Sequence, residues 1–178
     1  NIRFEGNGYS EEWVKEAEKR GLPNLRKTPE ALKQIVTPAS KEVLTRLGVL
    51  SEAEVVSRYH VRIERYVKNL AIEVDSMRQI IDTMIMPACY AYHGSLCQSV
   101  AAAKAAGVPA PQSDSLSKLT TLLQSLNEKR AVMENEFRKA ESLHDEEEKA
   151  KLYATNVSKA MFEVRELADS LEAVVADE

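Results

Sequence analysis

Ser51-Glu-Ala-Glu-Val-Val-Ser-Arg-Tyr59 opens a run that reads as one helix as far as Gly107, with Pro87 its only interruption. Ser51 and Glu54 form a capping box: the serine oxygen can accept from the amide three residues on, and the glutamate can reach back to the Ser51 amide. Val56, Tyr59, Ile63, Tyr66, Leu70, Val74, Met77, Ile81, Met84, Ala88 and Ala91 then recur at steps of three and four, which places one apolar stripe along one side. A helix of about 55 residues spans roughly 80 Å at 1.5 Å per residue, so the run is a spine that other helices must cover. Pro87 removes one hydrogen bond and crowds the Thr83 carbonyl, but no glycine or turn cluster adjoins it. The spine is therefore expected to continue through Pro87 with a bend and not to reverse.

Two later segments can cover it. Gly107-Val-Pro-Ala-Pro-Gln-Ser-Asp114 cannot continue a helix, after which Leu116, Leu119, Leu123, Leu126, Met133, Phe137 and Ala140 resume the apolar repeat, with Arg130 in its one charged slot. Ala150, Tyr153, Val157, Ala160, Val164, Leu167, Leu171 and Val174 keep strict three-four spacing, the pattern of a coiled-coil-like seam. The break falls near residues 142–145, where Ser142 or Asp145 can cap a helix whose first turn carries Glu146, Glu147 and Glu148. The fold class is all-α: an antiparallel helical bundle built on one long Pro-kinked helix and preceded by short helices.

Composition bounds the function. The chain has 178 residues, 44% hydrophobic and 29% charged, with six glycines and six prolines, which is ordinary for a helical globular chain. Net charge is −4, and the excess acid lies after Gly107, where nine basic side chains face fifteen acidic ones. No basic stripe is present for a phosphate backbone, so the reading is no nucleic acid. The uncharged run from Thr83 to Ala103 is long enough for a membrane span, yet it holds Pro87, His93, Gly94, Ser95, Gln98 and Ser99. These polar groups favour burial in a bundle or an interface, and no membrane is expected. Two cysteines eight residues apart on one helix cannot bridge each other, and a cytoplasmic location is expected.

Residues 1–50 read as three short helices. Ile2 and Phe4 alternate with Arg3 and Glu5 before Gly6-Asn7-Gly8, as in the last strand or loop of something longer. Ser10 caps a helix bearing Trp13 and Ala17 that stops at Gly21; Thr28-Pro29-Glu30 caps a second; a third runs from about Ala39 to Leu47 and stops at Gly48, with Val49 where a Schellman motif places its contact. Too few large apolar residues are present for a separate core. The division is 1–50 and 51–178.

Four sets of residues invite a chemical reading. Cys89, His93 and Cys97 share a helix face, but the cysteines are about 12 Å apart along the axis, too far for one zinc ion, and His60, His144 or carboxylates would have to complete a site. Packing is the better account. Tyr59, His60, Tyr66, Tyr90, Tyr92 and His93 suit an interface or a core edge, and Met77, Met84, Met86 and Met133 suit core filling. Asp145-Glu-Glu-Glu148 lacks calcium-loop spacing and reads as helix capping. No catalytic, cofactor-binding or metal residue is assigned.

Asn1-Ile-Arg-Phe-Glu-Gly-Asn-Gly-Tyr-Ser-Glu-Glu-Trp13, continued by Val14 to Leu25 and Thr28-Pro-Glu-Ala-Leu32, resembles the C-terminal part of type III glutamine synthetases. Val49-Leu-Ser-Glu-Ala-Glu54 and Ser57-Arg-Tyr59 are similar to that family's helical C-terminal extension. The resemblance places residues 1 to about 36 in the tail of a catalytic domain. It implies a parent activity, the ATP-dependent ligation of ammonia to glutamate with Mg or Mn, whose catalytic and metal-binding motifs are not among these residues. The fragment alone is expected to be inactive and to serve assembly, its partners being its own upstream catalytic domain and neighbouring subunits of a homo-oligomer. The alternative is an independent helical protein–protein interaction module.

Overall fold

The computed structural model describes residues 3–176, and among them there are helices and no strand. The expected alternation over Ile2 to Glu5 is not a strand where it is described, and Ile2 lies outside the described residues. Helix α1 spans Glu11–Lys19, α2 Thr28–Lys33, α3 Pro38–Arg46, α4 Glu52–Ile80, α5 Met86–Ala105, α6 Ser113–Glu141, α7 Glu146–Leu152 and α8 Ser158–Glu172. A 3₁₀ turn, Gln34–Val36, extends α2, and single π-helical turns join α4 to α5 (Ile81–Ile85) and α7 to α8 (Tyr153–Val157). The chain forms two compact units, one up to Arg62 and one from Ile63 onward, with α4 running through both.

Helix ends follow the local chemistry of the sequence. Glu54 N–H donates to Ser51 Oγ at 3.3 Å and Ser51 N–H donates to Glu54 Oε2 at 2.8 Å, which completes the capping box. The Ser51 N–H, and then the Ser51 hydroxyl donating to the same oxygen at 2.7 Å, hold the Glu54 carboxyl below the usual range. Ser10, Thr37 and Asp145 each accept from the amide three residues on. Asp145, not Ser142, thus caps α7. Thr28 is the first residue of α2 and not its cap, which is Lys27 and makes no side-chain bond. Gly107 has φ +69°, a conformation that costs other residues their Cβ clearance, and it lets Val108 N–H turn back to Ala103 O at 3.1 Å. Gly48 does the same for Val49 and Leu44.

In the first unit the short helices bury little. Across α1, α2 and α3, Pro29 is the one buried residue, and Phe4 stacks on Trp13 with ring centroids 4.8 Å apart. The second unit holds a continuous core. Leu119, Leu123, Leu126, Met133 and Ala140 of α6 meet Tyr153, Val157, Ala160, Val164 and Leu171 of the final helix and Ile63, Val67, Val74 and Ile81 of the spine, all buried. Cross-helix pairs give the directions. Ser99 pairs with Gln112, His93 with Thr120, Asp82 with Arg130 and Arg78 with Glu134, so α6 returns antiparallel along the spine. Glu141 pairs with Tyr153, Glu136 with Asn156 and Lys129 with Glu163, so the last helix is antiparallel to α6. The all-α antiparallel bundle is the observed fold.

The spine does run unbroken through Pro87, by means the apolar spacing does not anticipate. Over Ile81–Ile85 the chain widens into a π turn, with Met86 N–H donating to Ile81 O five residues back. The wider turn gives the proline ring room, and it inserts one extra residue into the helical repeat. Every side chain after it is rotated relative to uninterrupted three-four spacing. Met84, expected in the stripe, is 65% exposed, and Ala88 and Ala91 are exposed too. Met86, Cys89 and Val100 are buried instead.

Candidate interaction surface

The candidate chemical residues are dispersed or absorbed into packing. Cys89 is buried, and burial pushes its thiol up. Cys97 is exposed, with Sγ 3.7 Å from His93 Nδ1. His93 Nε2 lies 3.0 Å from Thr120 Oγ1, whose own proton goes to Leu116 O at 2.7 Å. Thr120 therefore accepts from His93 and fixes Nε2 as the protonated nitrogen. His60 and His144 are exposed. Among the described residues no three His, Cys, Asp or Glu side chains converge to hold a metal ion. The acidic run caps α7 through Asp145, while Glu148 pairs with Lys151 at 2.5 Å.

Where the spine, α6 and the final helix meet, a polar cluster locks the bundle. Arg78 forms a two-pronged pair with Glu134, Nε to Oε1 at 2.5 Å and Nη2 to Oε2 at 2.9 Å, and it also bonds Asp75. Its guanidinium lies 4.8 Å above the Phe137 ring, and Phe137 meets Tyr153 edge-on at 6.1 Å. Tyr153 is fully buried, and its hydroxyl donates to Glu141 Oε1 at 2.7 Å. Desolvation, then Glu141, push the Tyr153 phenol well up. Arg130, the charged slot in the α6 repeat, reaches out to Asp82 Oδ2 at 2.5 Å on the spine's π turn. These contacts orient helices and leave no open reactive group.

The open feature is a groove in the second unit between the spine and α8. It has two adjoining parts. One, of 520 Å³, is lined by Met84, Ala88, Cys89, Glu172 and Val175; the other, of 580 Å³, by Glu73, Met77, Phe162, Val164 and Arg165. Ile80, Ile85, Ala168 and Asp169 line both, so the parts form one apolar trough. Met84 is exposed here because of the π turn, and Phe162 is 60% exposed beside it. The charged side chains of the lining are Glu73, Asp169 and Glu172 against Arg165. Apolar periodicity alone could not have found this groove, since it assigns Met84 and Ala88 to the core stripe. The signal was the length of the uncharged run Thr83 to Ala103. Helix α5 has a single charge, Lys104, in twenty residues.

A long helix covered by α6 and the final helix, and presenting an apolar trough, defines a helical packing region. The family is given by comparison: residues 1–104 match the model of the glutamine synthetase C-terminal domain, and the chain belongs to that family. It is 31% identical to a glutamine synthetase of Butyrivibrio fibrisolvens over 99% of this chain and 26% of that protein. It is 30% identical to a type-3 glutamine synthetase of Dictyostelium discoideum over 99% of this chain and 25% of the relative, and 29% identical to a glutamine synthetase of Bacteroides fragilis. The chain therefore spans about a quarter of the length of these relatives. The resemblance drawn from Asn1 to Tyr59 is borne out. No helix among the described residues is long and apolar enough to cross a membrane.

Proposed function

We propose that this chain is the C-terminal helical region of a cytoplasmic enzyme that ligates ammonia to glutamate at the expense of ATP, and that its own task is subunit assembly, with the chemistry performed upstream. The carrying observation is the open apolar trough of Ile80, Met84, Ile85 and Phe162 on a spine whose second half is almost free of charge. A surface of that kind is stable in water when another protein surface covers it. Its natural partners are the upstream catalytic domain and neighbouring subunits of the same enzyme. Deleting residues 51–178 from the full-length protein is expected to lower its sedimentation coefficient to that of a smaller assembly. Truncated protein that sediments as an assembly of full stoichiometry and unaltered stability overturns the reading. A matching assay of ATP-dependent glutamine formation by the 178-residue chain is expected to give no activity. Activity that survives further purification would show chemistry within the chain.

A further inference from the structure

Resting on the assembly reading, we propose that the groove receives the stretch 20–27 of a second copy of this chain. The stretch reads Arg20-Gly-Leu-Pro-Asn-Leu-Arg-Lys27, and each of its residues is exposed. Leu22 and Leu25 are 48% and 36% accessible, two large apolar side chains that no described residue covers fully. The stretch has three basic side chains and no acidic one; Arg20 is paired with Glu16 at 2.8 Å, so Arg26 and Lys27 carry the charge offered to a partner. The groove has the opposite character, an apolar floor with Glu73, Asp169 and Glu172 outnumbering Arg165 at its edges.

Dimensions agree as well. From Glu73 to Ala88 the groove follows the spine for about 22 Å at 1.5 Å per residue; Gly21 turns the chain at φ +71°, and the six residues 22–27 beyond it span roughly 20 Å when extended. Leu22 and Leu25 stand about 10 Å apart in an extended chain, and the groove has two adjoining parts, one for each leucine. Pro23 holds the stretch extended before docking, which lowers the ordering cost. Pairing the groove with the same groove of another copy would bring together two linings with an excess of acid, which is less favourable than meeting a basic stretch. The contact is therefore between two different surfaces of the chain, which builds rings or open filaments unless two copies exchange stretches reciprocally into a closed pair.

Sedimentation velocity of the 178-residue chain over roughly 1 to 100 µM, with reductant, is expected to show association that weakens as salt rises. Two variants reverse the charges, Asp169→Lys with Glu172→Lys in the groove and Arg26→Glu with Lys27→Glu in the stretch. All four positions are exposed, and circular dichroism should match that of the unchanged chain. Each variant is expected to weaken self-association about tenfold or more, and an equimolar mixture of the two to restore it, because the reversed charges match across the contact. Association that ignores both reversals, or a mixture no stronger than its components, overturns this contact while leaving the assembly reading to the truncation experiment. A chain that stays monomeric throughout also overturns it. A photo-crosslinking residue at Met84 should give dimer-sized products carrying the 20–27 peptide; a link to that peptide within one chain refutes the proposal.

Discussion

The two π turns differ in what they put inside. At Ile81–Ile85 the wide turn faces outward: Ile81 is buried, while Asp82, Thr83 and Met84 are exposed. At Tyr153–Val157 it faces inward, with Tyr153, Ala154 and Val157 all buried. The first precedes a proline; the second has neither proline nor glycine near it. Its widened carbonyl, Tyr153 O, receives Ser158 N–H and also Ser158 Oγ at 2.7 Å. An insertion in a helix can thus follow from a residue that lacks an amide proton, or from a core that needs an extra side chain at one level. Arg78, three residues before the first turn, lies over Phe137, which in turn meets Tyr153 of the second edge-on.

The strongest way to break the comparison is Tyr153→Ala. The inward turn then loses the side chain it is built around, and a cost of about 3–5 kcal/mol is expected in urea unfolding. A loss under 1 kcal/mol would mean the turn owes its shape to something other than packing.

Tyr153→Phe sharpens the same point. It removes the bond to Glu141, which is close enough to Lys149, 3.8 Å, and to solvent to be satisfied otherwise, so about 1 kcal/mol is expected at neutral pH. The pH response is more telling. Because the folded phenol titrates above the unfolded value of 10.0, the folded state holds its proton longer than the unfolded state does. The contribution is fully present below pH 10 and is lost as pH rises from there. Urea midpoints should therefore fall more steeply above pH 10 in the unchanged chain than in Tyr153→Phe, and parallel curves would refute the assignment.

Pro87→Ala tests the outward turn. If proline alone imposed the widening, its removal would restore ordinary helix and rotate Cys89 out of the core by one residue, about 100°. Met86, Cys89 and Val100 already pack in the register the π turn sets, so Cys89 is expected to stay as slow toward a thiol reagent as before while Cys97 reacts freely. Rapid labelling of both cysteines would show that proline was the sole cause. Smallest of all, Ser158→Ala removes one of two donors to Tyr153 O and should cost about 0.5 kcal/mol, measurable as a slight shift in urea midpoint.

The sequence by itself determined the elements and their order. Capping at Ser10 and Ser51, stops at Gly48 and Gly107, and apolar repeats at three and four are local chemistry, and each is legible residue by residue. It also marked the charge-poor half of the spine, and the Gly-Asn-Gly-Tyr-Ser-Glu-Glu-Trp block carried the family. Tertiary structure decided which face of that half is inside, because one extra residue at Ile81–Ile85 turns everything beyond it, and a period count has no term for an insertion that leaves the helix unbroken. It likewise decided that Arg130 reaches Asp82 and that Arg78 joins Glu134 across α6, pairings between residues about fifty positions apart. The groove belongs to the same class. It exists because two helices, each regular alone, meet with Met84 and Phe162 on the outer side of their contact, and only packing settles which side is outer.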